Sequence, residues 1–126
     1  MSVLCRTFVG FTVDFATNLK YADFRKCDAF IEQHPELDEY AYNLSKEAEG
    51  KLVLICDGMN GRYLRLVQID QCKYGCNIDD DGNMIELKTP VISDKLLEQF
   101  KSLYKEYTGD ELDVSNIKYV MWTQWY

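Results

Sequence analysis

Residues 3–15 alternate in polarity with a period of two. Val3, Cys5, Thr7, Val9, Phe11, Val13 and Phe15 share one face, and Leu4, Arg6, Phe8, Gly10, Thr12 and Asp14 share the other. β-Branched and aromatic residues on that period predict a strand, and the partly apolar second face predicts a central one. The period changes at Ala16-Thr17-Asn18, where Thr17 or Asn18 suits a helix N-cap. From Leu19 to Gln33 the spacing is helical, with Phe24, Cys27 and Ile31 on one stripe, widened by Tyr21 and Phe30. His34-Pro35 interrupts it, because the residue before a proline is pushed out of the α region while Pro itself suits the first turn of a new helix. A second helix is expected from there, with Leu37, Tyr40, Ala41, Leu44 and Ala48 inward and Gly50 as its C-cap.

Lys51–Cys56 and Arg62–Gln71 read as a strand pair across Asp57-Gly58-Met59-Asn60-Gly61, which holds both a D-G and an N-G turn signal. A third short strand, Asn83–Lys88, is expected after the turn Asp79-Asp80-Asp81-Gly82, and Pro90 marks a break. Ser93 caps a helix to about Tyr107, with Leu96, Leu97, Phe100, Leu103, Tyr104 and Tyr107 inward and Gly109 as its stop. Val114–Tyr126 is again strand-like and aromatic. The expected order is β-α-α-β-β-β-α-β. Burying these stripes calls for an α+β domain, a mainly antiparallel sheet of about five strands with two or three helices on one face. The split-βαβ (ferredoxin-like) arrangement is the candidate topology.

Composition narrows this reading. With 126 residues, 47% of them apolar, the chain can bury one core and is expected to form a single domain spanning residues 1–126. An aromatic share of 13% and only two prolines argue against disorder. No apolar run approaches the ~18–20 residues of a membrane span. The N-terminal stretch alternates with polar residues and lacks a basic leader, so it is not read as a signal peptide. The five cysteines, at 5, 27, 56, 72 and 76, are odd in number and irregularly spaced, as expected of reduced thiols in the cytoplasm. Cys5, Cys27 and Cys56 lie within apolar runs and are expected to be buried.

Charge changes the picture further. The net charge of −7 and pI near 4.6 disfavour direct binding to a nucleic-acid backbone. The excess acid is concentrated. Residues 27–50 carry one base and seven acids, residues 77–113 four bases and ten acids, and the remaining segments are mildly basic. The first block holds Asp28, Glu32, Glu36, Asp38, Glu39, Glu47 and Glu49; Asp28 and Glu32 are i, i+4 on an outward face. The second opens on Asp79, Asp80 and Asp81. A like-charged face repels itself, and one use that offsets this is steering toward a basic partner.

Catalytic chemistry finds little to assemble. A Ser-His or Cys-His mechanism has one imidazole to use, His34, and Cys27 is seven positions earlier, ~10 Å along a helix. His34 reads as an exposed or capping residue at a helix junction. Phosphate-cradling glycine loops are absent from the sequence. Cys72-Lys73-Tyr74-Gly75-Cys76 is a C-x3-C knuckle that would need two more ligands for a structural zinc, with Cys56, His34 or Cys27 as candidates. Residues 77–83 resemble the first half of an EF-hand loop, but position twelve is Lys88, so a polar turn is expected instead. Trp122, Trp125 and Tyr126 either cover the end of the core or offer exposed contacts, with Trp125 and Tyr126 the candidates for exposure.

The expected function is therefore a small acidic non-enzymatic module that binds a protein partner with a basic, nucleic-acid-handling surface, as an inhibitor or immunity protein does. Its candidate contact residues are Asp28, Glu32, Glu36, Asp38, Glu39, Asp79, Asp80, Asp81, Trp125 and Tyr126. No cofactor and no membrane are expected, and an exposed first or last strand offers a route to a homodimer. The alternatives are a zinc-stabilised domain using Cys72 and Cys76, and a small enzyme with carboxylate or cysteine chemistry.

Overall fold

The alternation of residues 3–15 becomes strand β1, Cys5–Ala16, in the computed structural model, which describes residues 5–16, 24–38, 49–57, 63–74, 87 and 89–125. Helix α1 (Phe24–Gln33) follows, then a 3-10 turn at Pro35–Leu37. The hairpin strands are β2 (Leu52–Asp57) and β3 (Tyr63–Tyr74), and helix α2 (Asp94–Thr108) leads to the last strand, β4 (Lys118–Trp125). The fold is α+β. The four strands among the described residues form one antiparallel sheet in the order β2-β3-β1-β4, so β1 is central, as its two apolar faces require.

Both faces of that sheet are buried. On one, Val13, Phe15, Leu54, Leu64 and Leu66 meet Cys27 and Phe30 of α1 and Phe100 and Tyr107 of α2. On the other, Phe8, Val53, Ile55, Val67 and Ile69 form a second cluster, none more than 1% exposed. The near-continuous apolar run Leu52-Val53-Leu54-Ile55 reflects a strand covered on two sides rather than one. Where β1 crosses β3 the register slips between Val9/Gly10, so Gly10 opposes Ile69 while Val9 opposes Gln71. Asp70 is the extra residue of this bulge.

Local signals set α2. Ser93 Oγ accepts from the Leu96 N–H at 3.1 Å, and Gly109 ends the helix at φ +81° with its N–H donating to Lys105 O at 2.8 Å. The two helices are welded to β1 by an aromatic cluster. Phe15 stacks on Tyr107 with centroids 5.0 Å apart, and Phe30 meets Tyr107 edge-on at 5.2 Å.

Two expectations are revised, and a third falls almost wholly outside the described residues. The second helix opens only as the 3-10 turn Pro35–Leu37, and Asp38 then adopts extended backbone and bridges to Leu54. The remainder of that expected helix, residues 39–48, lies outside the described residues. The third hairpin strand, Asn83–Lys88, also lies outside them except for Leu87, which is in no strand. The described residues thus hold four strands and two α-helices rather than five and three. Finally, the last strand does not start at Val114. Asp113 Oδ1 accepts from the Ser115 N–H at 3.0 Å and turns Val114–Asn116 into a 3-10 element before β4 begins.

Candidate functional site

The seam between α1 and α2 gathers the charged groups. Phe30, held in the core, carries the His34 ring at a centroid distance of 4.7 Å one turn later. From there His34 Nε2 donates to Glu106 Oε1 at 2.8 Å, and Nδ1 lies 3.4 Å from Glu36 Oε1. The helix ends because His34 precedes Pro35, and its N–H is still satisfied by Phe30 O at 2.9 Å. The hydrogen bond to Glu106 raises the imidazole above its ordinary range; partial burial opposes this, and the charges of Glu106 and Glu36 add to it. Both ring nitrogens face carboxylates, an arrangement that favours the protonated imidazole over the free base that would deprotonate a nucleophile.

Beside the seam runs a groove of about 890 Å³ between α2 and the β2–β3 edge. Leu37, Leu52, Leu96 and Leu103 contribute its apolar lining, and Lys51 and Lys95 stand with Glu36 and Glu98 around it. Glu98 is 3.7 Å from Lys101 on the exposed side of α2, a spacing worth little to stability at a surface.

Of the sequence-derived candidates, Asp28 and Glu32 are exposed on α1 and Glu36 is exposed on the 3-10 turn. Asp38 is half-buried, its backbone paired to Leu54. Trp125 closes β4 opposite Cys5 in the ladder. Glu39, Asp79, Asp80, Asp81 and Tyr126 lie outside the described residues. Cys72 sits in β3 opposite Phe8, and Cys76 and the EF-like turn lie outside the described residues. Cys27 is 6% exposed within the apolar cluster, which removes it from solvent and from nucleophilic use. Among the described residues no group of three or more His, Cys, Asp or Glu side chains is placed to share a metal ion. No helix among them is long and apolar enough to cross a membrane.

Two pairings escaped the sequence reading. Glu106 reaches His34 from 72 positions away, and Tyr119 Oη donates to Asp70 Oδ2 at 2.7 Å from 49 positions away. Neither separation leaves a local motif; only the sheet order and the packing of α2 bring them together. Comparison with protein-family models, with curated proteins and with solved structures found no match, so the functional reading rests on this geometry.

Proposed function

We propose that this protein is a non-catalytic binding module whose acidic helical side engages a basic surface of a partner protein, in the manner of an inhibitor that occupies a nucleic-acid-handling site. One observation carries this reading. Glu36 belongs to the acidic block 27–50 and Glu106 to the block 77–113, and the two converge on the single imidazole of His34. Blocks distant in sequence therefore meet at one seam, and Asp28 and Glu32 of the first block are exposed on α1. Two carboxylates on one imidazole leave this group net negative whether or not the ring is protonated, and a negative face speeds encounter with a basic partner. Asp38, Glu39, Asp79, Asp80, Asp81, Trp125 and Tyr126 complete the proposed contact set. The reading places the protein in the cytoplasm and involves no cofactor, membrane or direct nucleic-acid contact. The strand order β2-β3-β1-β4, with a helix after β1 and another after β3, supports the split-βαβ relation.

The test is capture by the tagged protein beside a variant carrying Asp28→Lys and Glu32→Lys, each at low salt and at ~1 M, where the Debye length falls to ~3 Å. The proposal expects a basic partner recovered by the native chain at low salt and lost in the variant and in high salt. Equal recovery in all four arms, or no basic partner in any, overturns it.

A further inference from the structure

We infer that β4 is the edge through which two copies of this chain pair antiparallel, joining their sheets into one. The inference does not rest on the acidic-face proposal, although Trp125 of that contact set belongs to β4 and Tyr126 follows it in sequence. Among the described residues, β2 and β4 are the two edges. The β2 edge is partly occupied, because Asp38 bridges to Leu54 on the side away from β3. β4 has β1 as its partner among the described residues, in an unbroken register from Thr12↔Lys118 to Cys5↔Trp125. Edge strands are ordinarily protected by charges, prolines or bulges. β4, KYVMWTQW, has one lysine at its start, no acid, no proline and no bulge.

Charge selects a second copy as the occupant. A chain of net −7 repels its copy over most of its surface, but residues 114–126 contain no Asp or Glu. β4 is also self-complementary when paired about a two-fold axis normal to the sheet, which keeps side chains of opposed residues on the same face. With the axis at Met121, that residue opposes its own counterpart, and Lys118 falls opposite Gln124 of the second copy. Met121 is 62% exposed in the single chain. Directly opposed side chains stand ~4.5–5.5 Å apart, so the two thioether chains would cover each other. The two Lys118 residues would be roughly 20 Å apart along the ladder, about twice the Debye length at 0.1 M salt.

Sedimentation velocity over a range of concentrations tests this on the native chain, on Met121→Lys and on Met121→Leu, with circular dichroism to verify folding. The expected result is a monomer–dimer equilibrium, retained by Met121→Leu and weakened at least about tenfold by Met121→Lys, which sets two cations face to face. A native chain that stays monomeric throughout, or a dimer indifferent to Met121→Lys, overturns the inference. If Met121→Lys fails to fold, hydrogen exchange on the native chain decides: β4 amide protection that rises with concentration supports the pairing, and protection that does not change overturns it.

Discussion

His34 Nε2 and Glu106 Oε1 stand 2.8 Å apart and tie the end of α1 to the last turns of α2. Because Glu106 and Glu36 favour the charged imidazole, the native pKa of His34 is raised above its unfolded value. The linked stability is therefore fully present below about pH 6.5 and is lost as pH rises through the higher native value. The pair is partly exposed, which limits the effect to a few tenths up to about 1 kcal/mol. His34 is the sole histidine, so its proton resonances can be followed without assignment. In the native chain they should titrate above the ordinary value, and in Glu106→Gln they should move back toward it, with the loss of the stability change across neutral pH. A native imidazole titrating at or below about 6.5 would show that the contact does not form in solution.

Gly10 is required by the bulge. A Cβ at this position would run into the Gln68 carbonyl oxygen, a backbone atom that cannot turn aside as a flexible side chain would. Gly10→Ala should destabilise the chain by about 1–3 kcal/mol, since relief needs the β1–β3 ladder to spread. A chemical-denaturation midpoint equal to that of the native chain would contradict the register slip at Val9/Gly10.

Tyr119 and Asp70 link β4 to the bulge of β3 across β1. Burial, and then the bond and charge of Asp70, push the Tyr119 phenol up to about 12. A raised native value means the unfolded chain releases this proton first, so stability should hold up to about pH 10 and fall above it. Tyr119→Phe should cost about 1–2 kcal/mol at neutral pH by leaving the half-buried Asp70 carboxylate without its donor. It should also blunt the alkaline decline between pH 10 and 12. Denaturation measured at pH 7, 10 and 11 separates the two effects.

The parts of this fold that could be read from the sequence are those whose causes are local. Ser93 and Gly109 bound α2 because a hydroxyl and a missing Cβ act within one turn of themselves. The alternation in β1 survives as a central strand because Phe8 and Val13 each need cover on their own side. Val114 and Ile117 look apolar enough to begin a strand, whereas the capping carboxylate of Asp113 decides the backbone there. The two acidic blocks are plain in the sequence, but their meeting at His34 depends on how α2 returns over the sheet, which no spacing encodes. The same limit applies to the edge role of β4, which follows from strand order alone.

The second face of the sheet yields the sharpest test of its burial. Thr12 sits there opposite Val67, is 5% exposed, and its hydroxyl has no hydrogen-bond partner among the described residues. A buried hydroxyl without a partner carries a desolvation cost, and valine has nearly the same shape without it. Thr12→Val should therefore raise stability, by about 1 kcal/mol, where most buried substitutions lower it. Ile55→Ala on the same face removes volume from a fully buried site and should cost about 2–5 kcal/mol, comparable to core truncations on the helical side. Thermal melts of both variants read the face from opposite directions. If Thr12→Val destabilises, the hydroxyl has found a partner in solution; if Ile55→Ala is nearly neutral, the face is open to water and the sheet has one core rather than two.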